Sequence, residues 1–373
     1  MTENKYKGKD LHNPRDGLGR LRRAHGKTAG RQSGFERLAD DEEAAERLVL
    51  SGRRSHSGES LLAKFNRLAQ AQVAVGEQGE VSGFTGRTVL VRLADGREVD
   101  CEIRRNLKKR IAGVSNVLCA GDRVQVVSDT HGQVIEAVEP RRNQLERGDS
   151  HNKALVHVLA ANLDRLVIVA TCRDPELKPA LIDRWLLIAN ASGIAATLVL
   201  NKADLGVDET MTQVYRRLGV TVFTTTAIQG GGQLDELRAH LTGQACVIAG
   251  QSGVGKSSLV NALFPALAAR TGVVALAGHG RHTTTSARSY VLPGGGRLID
   301  TPGIKECAIG GIEALDVALH YADFAPLHAA CRFADCTHRH EPDCAVRAAL
   351  ARGEIAPTRY GSYLAILAED LGV

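Results

Sequence analysis

No apolar stretch of this sequence approaches the roughly 20 residues needed to cross a bilayer, and its first residues lack the apolar core of a secretory signal. A soluble, cytoplasmic protein with no membrane partner is expected. Aromatic residues are few, 4% of 373 with a single tryptophan. The net charge is only +5 and it is uneven: residues 1–31 hold nine Lys/Arg against three acids, 9 − 3 = +6, so the rest is almost neutral. A disulfide framework is missing too. Cys101, Cys119, Cys172, Cys246 and Cys307 are scattered as inert thiols would be, whereas Cys331, Cys336 and Cys344 crowd together with histidines. The hydrophobic fraction, 43%, is ordinary, and the length suggests roughly two or three domains.

What the sequence does contain centres on Gly250-Gln251-Ser252-Gly253-Val254-Gly255-Lys256-Ser257, with an apolar run at 245–249 before it and Ser258-Leu259-Val260-Asn261-Ala262-Leu263 after it. Strand, glycine-rich turn and helix make G-x-x-x-x-G-K-S/T a phosphate cradle. Glycines at 250, 253 and 255 allow φ > 0 and close approach, so that consecutive N–H groups up to Ser258 face an anion at a helix N-terminus. Lys256 would reach the β- and γ-phosphates, and Ser257 would ligate a Mg²⁺ that bridges them. The loop by itself specifies a nucleoside triphosphate and not which one.

Read from the start, residues 1–62 are rich in Arg, Lys, Gly and Ser and cannot bury enough surface to fold alone; they form a basic arm suited to nucleic acid phosphates. Over 68–140 short β segments at 71–75, 79–84, 88–93, 98–103, 122–127 and 134–138, with a hairpin turn at Asp95-Gly96, suggest a small OB-like barrel. Its loop 104–110 carries five cations, while Phe84 is the one aromatic in these strands, which favours contact with RNA backbone over base stacking. Pro140-Arg141-Arg142-Asn143 reads as a linker. From 150 to 310 strands and helices alternate, as in a doubly wound α/β domain with ligands at the carboxyl ends of its strands. Trp185 falls on the apolar side of a helix and reads as core.

Asn201-Lys202-Ala203-Asp204 directly follows the strand 195–200. The Asp204 carboxylate can accept from guanine N1–H and the exocyclic amine, a donor pair that adenine lacks. Asn201 would tie this loop to the phosphate loop, with the Lys202 stem over the ring. Asp300-Thr301-Pro302-Gly303 ends an apolar strand; Asp300 suits the surroundings of Mg²⁺ and the Gly303 N–H suits the γ-phosphate. Upstream, Gly280-Arg281-His282-Thr283-Thr284-Thr285 offers hydroxyls that would close the Mg²⁺ shell, with Thr284 assigned to it. Cys331-x4-Cys336-x-His338-x5-Cys344, over a mainly helical segment at 311–373, supplies three thiolates and an imidazole, enough for a structural Zn²⁺; His340 fits the spacing as well as His338.

The base loop thus precedes the phosphate loop, and the threonine and D-T-P-G segments follow it. In this order the chain is similar to circularly permuted GTPases, and with a barrel before and a Cys/His cluster behind it resembles the bacterial ribosome small-subunit-dependent GTPase family over about residues 70–365. The resemblance implies GTP hydrolysis during late maturation of the 30S particle, stimulated by that particle and driving release, in a cytoplasmic monomer that contacts rRNA. It selects His338 over His340. The water-orienting glutamine of Ras-like enzymes is replaced by Ile304, and the resemblance points to His282 as the hydrolytic group. It also places a backbone contact to the base near Ala227, after Thr226 where the family has serine. The alternative is an RNA-binding guanine-nucleotide switch with negligible turnover.

Overall fold

The structure is a computed structural model that describes residues 52–53, 60–70, 76–86, 88–105, 107, 118–130, 132–148, 155–267, 287–301, 309 and 312–371. Most of the basic arm, the expected strand at 71–75, His282, Thr284, Gly303 and Ile304 lie outside the described residues.

A two-residue strand β1 (Gly52–Arg53) and helix α1 (Leu61–Gln70) come first. Then β2 (Glu77–Thr85), β3 (Thr88–Leu93), β4 (Glu98–Ile103), β5 (Arg123–Asp129) and β6 (Gly132–Val138) close into a barrel in the order β2-β3-β4-β6-β5. Only the β4–β6 pair is parallel, the Greek-key arrangement of an OB fold. Alternation makes the core: Val89, Val91 and Leu93 of β3 point inward and their neighbours outward. Asp95-Gly96 makes the expected turn, with Gly96 at φ 88°.

Helix α1 belongs with this barrel, because Phe65 and Ala69 sit in its core. The 140–143 segment is not a loose linker. Arg141 is buried, ion-paired with Asp122 at 2.7 Å, stacked 3.7 Å above the Phe65 ring and bonded through its main chain to Asn66. A guanidinium beside a proline suggests solvent; here two charged groups satisfy each other in the interior.

The chain continues through β7 (Gln144–Gly148) and β8 (Leu155–Ala161), which form a small antiparallel sheet with β1. The main sheet follows: β9 (Arg165–Ala170), α2 (Pro179–Ala191), β10 (Ala195–Leu200), α3 (Glu209–Arg217), β11 (Thr221–Thr226), β12 (Gly231–Gly232), α4 (Leu234–Leu241), β13 (Ala245–Ala249), α5 (Lys256–Leu263), β14 (Arg288–Val291) and β15 (Arg297–Asp300). Its order is β12-β11-β10-β9-β13-β15-β14, parallel except at the two edges. Successive strand residues serve opposite faces. Leu166 and Ile168 join a core with α2, including Trp185, whereas Val167 and Val169 join one with α4 and α5. The strand order turns back between β9 and β13, and ligand crevices of open α/β sheets lie at such a point.

The C-terminal segment begins with two short 3-10 turns, Ala314–Asp316 and Ala318–His320. Helices α6 (Ala325–His328), α7 (Ala345–Ala351) and α8 (Pro357–Ile366) follow. Tyr321, Phe324, Val346, Tyr363 and Ile366 share one continuous core with α2. On the opposite flank the barrel grips the β14–β15 hairpin: Arg92 donates to the Ser289 carbonyl at 3.0 Å, and Arg297 is ion-paired with Glu80. No described helix is long and apolar enough to cross a membrane.

Candidate nucleotide site and Cys/His cluster

The phosphate loop joins the carboxyl end of β13 to the first turn of α5. Its backbone requires glycine at two places. Gly250 (φ 145°) runs so close to β9 that a Cβ would meet the Val169 carbonyl oxygen at 2.2 Å, and Gly255 (φ 86°) abuts the Asn201 amide, 2.5 Å from where a Cβ would lie. Both positions exclude a side chain on steric and conformational grounds. Lys256 folds back over the loop and donates to the carbonyls of Gly250 and Gln251, each at 2.8 Å. Its ammonium therefore lies over the turn, poised for an anion in the cradle. Ser257 and Ser258 are half-buried in the first turn of α5, Val254 anchors the loop in the core, and Ser252 and Gly253 are exposed.

Asn201 is the junction of the site. Its amide nitrogen donates to the Val254 carbonyl at 2.9 Å, and its oxygen accepts from the Thr225 hydroxyl at 3.0 Å and from the Ala227 N–H at 3.2 Å. One buried side chain thereby ties the loops after β10, β11 and β13 to each other. The Ala227 N–H, expected to face a base, is engaged by Asn201. Lys202, at φ 57°, donates from its ammonium to the Asp174 carbonyl at 2.6 Å, in the loop after β9. Asp204 stands exposed in the short turn Ala203–Leu205, free of any ion pair among the described residues.

Asp300 ends β15, whose partner β13 feeds the phosphate loop. Burial pushes its carboxyl up to about 6, against the opposing pull of Lys256. The neighbouring Thr301 hydroxyl is buried and has no hydrogen-bond partner among the described residues. A carboxylate short of solvation and an orphaned hydroxyl beside an anion cradle suit a cation bound with a phosphate.

The Cys/His residues also converge. The ligand atoms of Cys331, Cys336, His338 and Cys344 all lie within 4.8 Å of one another. His340 is exposed and outside this cluster. The loop is pinned by Glu341, which accepts from the N–H groups of Thr337, Arg339 and His340, and by the hydroxyls of Tyr360 and Tyr363, each 2.8 Å from a loop carbonyl. Burial, assisted by nearby His328, brings the His338 imidazole down to about 4, so it stays neutral near pH 7. Three thiols and a neutral imidazole directed at one point fit a four-coordinate soft metal ion.

A family model described as RsgA GTPase matches residues 138–310. The protein called small ribosomal subunit biogenesis GTPase RsgA in Pseudomonas aeruginosa is 44% identical over 300 residues, covering 78% of this chain and 85% of its own length. Its namesake in Porphyromonas gingivalis is 40% identical over 305 residues, covering 78% and 96%. The chain belongs to the RsgA GTPase family. Among solved structures it is similar to YjeQ from Thermotoga maritima, with a TM-score of 0.64 at 32% identity over 80% of this chain and 99% of that one. YloQ, a circularly permuted GTPase, matches in fold with a TM-score of 0.61 at 23% identity, over 79% and 95%. The permuted order is thus a property of the fold.

In this RsgA family member the structure also reveals residues that the motifs did not. Arg359 of α8 reaches Asp183 of α2 at 2.7 Å and Asp323 at 2.7 Å, lies 4.2 Å above the Tyr321 ring, and is buried with both its α2 partner and that ring. This ion pair locks the Cys/His segment to the nucleotide domain. Neither charge belongs to a local pattern, so no sequence signal marks them. Of the cationic loop, Arg104 is held by Glu136 at 2.7 Å and Asp129 at 3.5 Å, while Arg105 is exposed; 106 and 108–110 lie outside the described residues.

Proposed function

We propose that this chain hydrolyses GTP as a factor in biogenesis of the small ribosomal subunit, as the names of its relatives state of them. The observation that carries the reading is Asn201, whose three hydrogen bonds join base loop, phosphate loop and the Ala227 segment at the carboxyl ends of the strands. In this reading the main chain from Gly250 to Ser258 and the Lys256 ammonium hold the phosphates. Asp204 selects guanine, with Lys202 over its ring. Ser257 and Thr284 are the residues that would hold Mg²⁺, with the Asp300 carboxylate in its surroundings; the ion when bound offsets charge on the β- and γ-phosphates. Gly303 completes the γ-phosphate contacts, and His282 orients the attacking water.

Around this centre the arm (1–62), barrel (68–140) and Cys/His segment (311–373) flank the nucleotide domain (150–310) and meet rRNA. Cys331, Cys336, His338 and Cys344 would hold one structural Zn²⁺. Such a factor works in the cytoplasm, as a monomer that grips the 30S particle with GTP and leaves it after hydrolysis. Steady-state GTP hydrolysis with and without purified 30S subunits tests this. Stimulation by the subunit is expected. Equal rates would overturn the assembly-factor reading, and absence of turnover in both would favour a guanine-nucleotide switch.

A further inference from the structure

His328, at the end of α6, lies outside the four-residue cluster, yet its ring is bonded at both nitrogens. Nε2 lies 3.2 Å from the Ala334 carbonyl oxygen, and Nδ1 lies 3.0 Å from Nε2 of His338. The other nitrogen of His338, Nδ1, faces two sulfurs, Cys344 Sγ at 3.3 Å and Cys331 Sγ at 3.6 Å. The imidazole planes stand nearly perpendicular at 78°, and the Phe324 and Tyr363 rings close the remaining sides of His338.

The hydrogen positions in this chain follow from the one partner whose role is fixed. A carbonyl oxygen only accepts, so His328 Nε2 carries a hydrogen and donates to Ala334. With hydrogen on Nε2 and none on Nδ1, His328 presents a lone pair at Nδ1, and His338 Nε2 donates to it. That assignment leaves His338 Nδ1 without a hydrogen, its lone pair aimed between Cys331 and Cys344. Metal-bound histidines commonly donate their second ring N–H to an acceptor that fixes tautomer and ring direction. Here the acceptor is a second histidine, itself oriented by main chain.

We propose that His328 is a positioning residue of the metal site, holding His338 in the tautomer that offers Nδ1 to a zinc ion. The inference rests on the metal reading of the Cys/His cluster given above. His328 touches no metal in this arrangement; it acts through the Nε2–H of His338. A glutamine at this position keeps both an acceptor and a donor, whereas alanine removes both.

The test measures zinc content of the full chain and its zinc affinity by competition with a chromophoric chelator, for wild type, His328→Ala and His328→Gln. One zinc per wild-type chain is expected, with His328→Ala binding about 10–100-fold more weakly and His328→Gln recovering part of the loss. A long-range ¹H–¹⁵N correlation spectrum of the zinc-loaded wild type provides a readout that does not depend on the variants folding. It should show hydrogen on Nε2 of both His328 and His338, with His338 Nδ1 on the metal. Wild-type affinity in His328→Ala, or coordination through His338 Nε2, would overturn the positioning role while leaving the metal site standing. A wild-type chain that takes up no zinc would instead overturn the metal reading beneath it.

Discussion

At the scale of single residues, the nucleotide site depends on groups whose surroundings differ sharply. Asp204 is exposed and unpaired among the described residues, so its carboxylate is available to a base. Replacing it by asparagine should move preference from GTP to xanthosine triphosphate, because the amide now donates where it accepted; competition between the two nucleotides measures this, and unchanged GTP affinity would count against the base-loop assignment. Asp300 is its opposite. Burial raises its carboxyl to about 6 from an ordinary 3.8, so the folded chain binds a proton there more readily than the unfolded chain does. The contribution to stability is therefore full below about 3.8 and is lost as pH rises through about 6. Asp300→Asn should leave melting of the nucleotide-free protein unchanged near pH 4 and raise it by a few degrees, on the order of 2–4 °C, near pH 8. A pH-independent difference would show that desolvation of this carboxylate is not the cause.

Among elements, the closest fit is between the phosphate loop and the base loop. A Cβ on residue 255 would lie 2.5 Å from the Asn201 amide in a backbone at φ 86°. Gly255→Ala should displace Asn201 and strain the turn by on the order of 1–3 kcal/mol. GTP binding, followed with a fluorescent analogue, should fall at least tenfold while the far-ultraviolet circular dichroism is retained. The α2–α8 contact adds a buried ion pair to its apolar packing. Arg359→Ala would leave Asp183 buried and unpaired, a loss of about 3–5 kcal/mol, measurable as a lower urea midpoint. These two contacts also show how unequally elements were legible. The strands at 88–93 and 98–103 were clear from alternation and a D-G turn, and both matched. Helix α1 is not legible in the sequence because its apolar face makes sense only against the barrel, and Arg141 reads as linker because its carboxylate partner, Asp122, sits on another segment.

For the whole molecule, the notable feature is one core running from the sheet through α2 into the Cys/His segment, with Trp185, Tyr321, Cys336 and Cys344 in it. Unfolding of this part should be cooperative as a result. If zinc occupies the cluster, stripping it with a chelator should shift calorimetric melting of the sheet and the C-terminal segment together. A separate low-temperature transition for the C-terminal segment would contradict the shared core. At the other end, the barrel holds the β14–β15 hairpin, and β15 carries Asp300. Both flanking units thus contact the nucleotide domain, one on the α2 face and one at the sheet edge nearest the D-T-P-G segment.

The sequence by itself determined which motifs are present and their order: an N-K-A-D segment ending in Asp204, then the G-x-x-x-x-G-K-S loop, then a metal-ligand spacing. Each of these is local, set by a few adjacent residues whose backbone freedom and donor types allow little else. Only the tertiary structure decided which atoms meet. Asn201 as the junction of three loops and the buried Arg141 and Arg359 pairs join segments far apart in the chain, and His328 is brought behind His338 by the turn between them. Their partners are chosen by packing, since a buried charge or amide must find its complement wherever the fold brings one within hydrogen-bond reach.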